Sequence, residues 1–197
     1  VAAYVEHLLD KALTPETINS HLNRIRQYYR YLADQERVPV VNPVLRVPKL
    51  RVPKPLPRHL QERQAFEFLK LPKRARDQAI FMLMIRCGLR VEEVANLELD
   101  VIEFRRRKIW VRAGKGGKDR IVYVSNDAMK ALIGYLKIRP DVETKRVFLV
   151  QKGPYKNQPI SVRGIQKRME YYAKKCDLKI SCHQLRHTMA TQMLNAG

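Results

Sequence analysis

Lys108-Ile109-Trp110-Val111-Arg112-Ala113-Gly114-Lys115-Gly116-Gly117-Lys118-Asp119-Arg120-Ile121-Val122-Tyr123-Val124 is the stretch on which the fold class turns. Two runs rich in β-branched and aromatic residues flank a glycine-rich turn, the signature of a β-hairpin. On either side of it the pattern is helical. Upstream, helices are expected near 61–70, 74–86 and 90–97, with Gly88 as the C-cap that ends the second. Downstream, helices are expected over 126–138 and 162–175, with a short strand at 146–150 between them. The domain is therefore read as mainly α with a small antiparallel β-sheet, an α+β arrangement. No internal repeat is visible.

Nearer the N-terminus, Thr14-Pro15-Glu16-Thr17 gives a helix start: a capping threonine, a proline at the first helical position and an acid in the positive first turn. Ile18, Leu22, Ile25, Tyr29 and Leu32 follow at steps of four and three, and Arg24, Arg26 and Arg30 lie off that stripe. Residues 1–11 read as the end of an earlier helix. Two helices alone bury little, so further chain is expected before Val1. Between residues 38 and 57 six prolines break any helical period and favour extended chain. The expected organisation is a helical unit over 1–40, a basic proline-rich linker over 41–58 and a larger domain over 59–197. The linker, with Lys49, Arg51, Lys54 and Arg58, either follows a phosphate backbone or is simply solvated.

Lys and Arg number 39 against 19 Asp and Glu, giving a formal charge of +20 and a pI near 10.2. That excess opposes compaction through self-repulsion, and a nucleic-acid partner gives it a purpose through counterion release. A basic surface that serves only solubility is the alternative. Apolar residues at 45% fit a globular chain rather than a disordered one. No run approaches membrane-spanning length and no secretory leader opens the chain. Cys87, Cys176 and Cys182 are too few and too irregular for a disulfide framework, so a reducing cytoplasm is expected.

Chemistry concentrates at three places. Ser181-Cys182-His183-Gln184 fits a capping box that starts a helix, and His183 and Arg186 then stand one turn apart on the same face. His187 lies close by, while Leu185, Met189 and Met193 can pack inward. Taken alone, His-x-x-Arg is commonly an ordinary surface pair. Arg90 follows Gly88-Leu89 at a helix start, where it can reach an anion, form an ion pair with Glu93, or do both. Lys115, at the hairpin tip, can approach a phosphate and act as a general acid, or be a plain basic turn residue. A nucleotide-binding P-loop is excluded, because the glycine spacing and the terminal Ser/Thr are absent. A zinc site from Cys176, Cys182, His183 and His187 is disfavoured by its spacing and by Arg186 beside it.

In this order, Gly88-Leu89-Arg90-Val91-Glu92-Glu93, Gly114-Lys115-Gly116 and His183-Gln184-Leu185-Arg186-His187-Thr188-Met189-Ala190-Thr191 resemble the catalytic boxes of the tyrosine recombinase (phage integrase) family. The resemblance covers the whole chain. It implies the end of a helical, SAM-like core-binding domain leading into a catalytic domain. It further implies that Arg90 and Arg186 clamp the scissile phosphate, with His183 beside them and Lys115 on the hairpin. In the family a tyrosine attacks the phosphate to give a 3′-phosphotyrosyl link, with no metal and no cofactor. Arg24, Arg30, Lys49, Arg51, Lys118 and Arg120 are the expected DNA contacts. The implied partners are a double-stranded recombination site and further copies of the chain, a tetramer in the synaptic complex, with no membrane. The nucleophilic tyrosine is expected beyond Gly197, since Tyr171 and Tyr172 precede the His-x-x-Arg helix. This chain is thus expected to bind DNA without cleaving it. The alternative is a non-catalytic, sequence-specific DNA-binding protein on the same scaffold.

Overall fold

The computed structural model describes residues 1–45, 47, 49–52, 60–112 and 119–195, with only the backbone for 192–195. The chain divides into two compact units, Val1–Leu56 and Pro57–Gly197.

The first unit holds α1 (Ala2–Asp10) and α2 (Pro15–Asp34). Thr14 caps α2 by accepting from the Thr17 N–H at 3.4 Å, and Pro15 fills a position whose N–H would have no helical partner. Leu8, Ile18, Leu22 and Val44 form the core, with Val47 and Leu50 packed against it. The described part of the proline-rich stretch therefore packs on the first unit as far as Leu50. Asn19 grips Leu50 from both sides, donating to its carbonyl at 2.9 Å and accepting its N–H at 2.8 Å. Arg26 donates to the Val44 and Val47 carbonyls, and Asn42 to the Arg26 carbonyl. Extended chain has no ladder of its own, so side chains of α2 satisfy its backbone.

The second unit is built around α4 (Ala75–Cys87), whose residues from Ala79 to Ile85 are all buried. A helix apolar on every side belongs at a centre rather than on a face. It is surrounded by α3 (Glu62–Lys70), α5 (Val91–Ala95), α6 (Asn126–Leu136) and α8 (Cys182–Asn195). Ring contacts continue the core from Phe68 to Phe81 and on to Tyr172 of α7 (Val162–Lys175), edge to face at 5.3 and 5.7 Å. At the start of α4 a charged cluster is buried. Asp77, fully buried, accepts from Arg76 at 2.7 and 2.9 Å, from Arg168 at 2.8 Å and from the Tyr172 hydroxyl at 3.0 Å. Arg76 also donates to the Leu149 carbonyl.

The hairpin is present, as β2 (Lys108–Val111) and β3 (Arg120–Tyr123), with β1 (Ile102–Glu103) added on the far side of β2. All pairings are antiparallel, with Ile109 opposite Val122 and Val111 opposite Arg120 on the inward face. The molecule is thus mainly helical with a small antiparallel sheet. The stretch 146–150 differs from expectation. It is extended, with Val147, Phe148 and Leu149 buried, but it makes only isolated bridges, Glu98 to Arg146 and Leu149 to Pro159. Its backbone bonds pass from Leu97, bonded to Val147, over to Ile160, Gln158 and Asn157, bonded to Phe148 and Val150, so it does not stay beside one partner long enough to form a ladder. Among the described residues no helix is long and apolar enough to cross a membrane.

Candidate functional site

Gly88 ends α4 in the left-handed conformation, φ +63°, which L side chains rarely adopt. A second constraint acts there: a Cβ at this position would strike the Met189 methyl of α8. The turn exposes the Gly88 carbonyl, which accepts a hydrogen bond from Nη1 of Arg186. It also sets Arg90 at the N-cap of α5. One glycine turn thus fixes the backbone of one arginine and the side chain of the other.

Arg90 is restrained by Glu93, one turn on. The carboxylate accepts the Arg90 backbone N–H on Oε2 at 2.8 Å and Nη1 of its guanidinium on Oε1 at 2.8 Å. Arg120, the first residue of β3, grips the same carboxylate with two parallel bonds, Nη1 to Oε1 at 2.8 Å and Nη2 to Oε2 at 2.7 Å. Burial alone would raise the Glu93 carboxyl, but these donors from Arg120 and Arg90 outweigh it and bring its pKa down to about 2. The bond to Glu93 raises the pKa of Arg120 in turn. Arg186 moves the other way: burial first, then the like charge of Arg90, lower it, with Arg120 adding and Glu93 opposing. That cross-talk places Arg90, Arg120 and Arg186 in one field. Three guanidiniums and one carboxylate leave two positive charges, an arrangement that favours an anion.

α8 carries the remaining groups. Gln184 accepts the Ser181 N–H at 2.7 Å, closing the first turn. Cys182, Leu185 and Thr188 face inward, and Thr188 accepts the Leu60 N–H at 2.9 Å while donating to the Gln184 carbonyl. This leaves His183 exposed and Arg186 and His187 half-buried on the other side. The two imidazoles meet edge to face with Nε2 to Nε2 at 2.9 Å. Which ring donates and which accepts depends on the tautomer of each imidazole.

Of the residues singled out in the sequence, Arg90 and Arg186 come together, and His183 lies one turn from Arg186 on the same helix. Lys115 and Lys118 lie outside the described residues. Arg24, Arg30, Lys49 and Arg51 are exposed on the first unit. Of the two roles considered for Arg90, the ion pair with Glu93 is present, made through Nη1 of its guanidinium. What the sequence did not reveal is the Arg120–Glu93 fork and the His183–His187 contact. In Arg120-Ile121-Val122-Tyr123 every second residue is inward, yet the outward ones, Ile121 and Tyr123, are themselves apolar, so alternation did not mark the inward arginine. Tyr172 is buried on Asp77, whereas Tyr171 is exposed. Cys182 packs in the core and burial pushes its thiol up to about 11, unlike a metal-binding thiolate. Among the described residues no group of three or more His, Cys, Asp or Glu could hold a metal ion.

The phage integrase family model matches residues 58–197. Tyrosine recombinase XerA of Pyrococcus horikoshii is 31% identical over 182 residues, covering 92% of this chain and 61% of that protein. Tyrosine recombinase XerC of Caldanaerobacter subterraneus subsp. tengcongensis is 34% identical, covering 95% and 54%. The chain thus spans less than two thirds of the length of these relatives. A crystal structure of XerA recombinase superposes with a TM-score of 0.65 at 25% identity, covering all of this chain and 84% of the other. The fold is also that of the Tn1549 transposon integrase in complex with transposon right end DNA, with a TM-score of 0.80 at 19% identity over 99% of this chain and 72% of that one. With the glycine turn, the two converging arginines and the His-x-x-Arg helix in place, these likenesses establish that the chain belongs to the phage integrase family, the tyrosine recombinases.

Proposed function

We propose that this chain is the phosphate-binding part of a site-specific DNA strand transferase. Arg90 and Arg186 bind the non-bridging oxygens of the scissile phosphate, and His183 holds or moves a proton beside them. Lys115 protonates the departing 5′-oxygen. The attacking tyrosine belongs to the longer protein, and the bond energy is kept in a 3′-phosphotyrosyl link. In-line attack builds negative charge on the phosphate oxygens, so fixed guanidiniums stabilise the transition state more than the ground state. The observation that carries this reading is the convergence of Arg90 and Arg186 at one glycine turn, each tied down yet with a guanidinium edge that has no partner among the described residues.

The partner in this reading is duplex DNA, engaged in the cytoplasm by several copies of the chain. Arg24, Arg30, Lys49, Arg51 and Lys118 add backbone contacts that hold the duplex without reading its bases. The chain alone binds such a duplex and leaves no covalent adduct on a nicked suicide substrate. Joined to its tyrosine-bearing segment it forms the adduct, and Arg90→Ala or Arg186→Ala slows that step by roughly 10²-fold or more. Unchanged adduct formation in both variants overturns the assignment. A longer protein that binds its site but never forms an adduct supports the non-catalytic reading instead.

A further inference from the structure

The Glu93 carboxylate has its lone pairs filled by two different arginines, and they are not equivalent. Arg120 makes the two-pronged contact, one bond to each oxygen. Arg90 makes a single side-chain bond through Nη1, its backbone N–H supplying the fourth. An arginine and a carboxylate left to themselves settle into the two-pronged geometry. Arg90 sits one helical turn from Glu93 and would take that geometry if the position were open. It is not open, because β3 brings Arg120 into it. As a result Nε and Nη2 of Arg90 have no partner among the described residues, and the side chain stays 34% exposed. Charge points the same way. Arg90 with Glu93 alone is a neutral pair, and Arg120 restores one positive charge to it.

We propose that Arg120 is a positioning residue for strand cleavage: by occupying the fork of Glu93 it confines Arg90 to one bond and keeps the other guanidinium edge free for the scissile phosphate. This rests on the reading above, in which Arg90 binds that phosphate. It also gives Arg120 a role different from the DNA contact expected from the sequence. The two roles make opposite demands. A DNA contact acts on affinity, whereas a group acting through Glu93 and Arg90 acts on the rate once DNA is bound.

The test uses the full-length recombinase and a nicked duplex site, with adduct formation followed in a single turnover at saturating DNA and Kd measured against salt. Arg120→Lys keeps the charge and loses the planar fork. Its adduct rate is expected to fall roughly 10²-fold, the scale of a misplaced catalytic group, with Kd within about threefold and the salt slope unchanged. Adding Arg120→Ala to an Arg90→Ala protein should cost less than about twofold more, since residues acting through one contact are not additive. Urea midpoints for each variant establish that the assayed protein is folded. The assignment is overturned if Arg120→Lys reacts normally at saturation while its salt slope drops by about one phosphate contact. It is equally overturned if the two substitutions add in full. By contrast, an Arg90→Ala protein that cleaves at the normal rate sinks the functional reading itself.

Discussion

Glu93 accepts four hydrogen bonds while only 11% of its side chain is exposed, and this makes the site's geometry sensitive to acid. Its folded pKa, about 2, lies below the ordinary glutamate value of 4.5. A depressed carboxylate stabilises the fold fully above the unfolded value and loses that contribution as pH falls towards the folded one. Between about pH 4.5 and 2 the wild-type chain is therefore expected to lose on the order of 2 kcal/mol that Glu93→Gln, already without it, does not lose. Urea midpoints at pH 6 and pH 3 measure the difference, and equal acid sensitivity in the two proteins would refute the role given to Glu93. At this scale the site was half legible. Arg90, His183 and Arg186 stand in short motifs, and Glu93 lies within one of them, three residues from Arg90. Arg120 is 27 residues from Glu93 and on another element, so only the tertiary fold brings them together.

α4 shows why elements are easier to read than the contacts between them. Its near-continuous apolar run announces a buried helix, and Gly88 marks its end, because propensity, patterning and capping are all local. The charged residues at its start gave no such signal. Arg76 and Asp77 look like a polar first turn, yet they are 4% and 0% exposed and are satisfied from α7 and from the Leu149 carbonyl. The extended stretch 146–150 was misjudged as a strand for the same reason, since a ladder needs a partner that sequence does not name. Removing one member of a buried ion cluster leaves the others charged and uncompensated, which costs far more than an exposed pair. Asp77→Ala, stranding Arg76 and Arg168 together, should lower stability by on the order of 3–5 kcal/mol, with the Tyr172 hydroxyl also losing its acceptor. Denaturant unfolding decides it: a loss under about 1 kcal/mol would mean that water takes over these groups and that the cluster does not hold α4 to α7.

For the whole molecule the dominant property is charge. The formal value of +20 is distributed along the entire sequence, and the ion pairs among the described residues engage ten of the 39 basic side chains. Composition alone makes this plain, because net charge does not depend on the fold. What composition leaves open is whether the excess serves binding or only solubility, and salt separates the two. Each phosphate neutralised releases condensed counterions, so the logarithm of affinity falls linearly with the logarithm of salt at about −0.9 per contact. If the exposed Arg24, Arg30, Lys49 and Arg51 join Arg90 and Arg186 on one duplex, six contacts give a slope of about −5. Raising salt from about 50 to 200 mM should then weaken binding by roughly 10³-fold. Arg24→Ala and Arg51→Ala should each flatten the slope by about one contact while leaving the preference among DNA sequences unchanged, because phosphate contacts carry no base information. A slope shallower than about −2 would leave these arginines as surface charge and confine any DNA contact to Arg90 and Arg186 at the Gly88 turn.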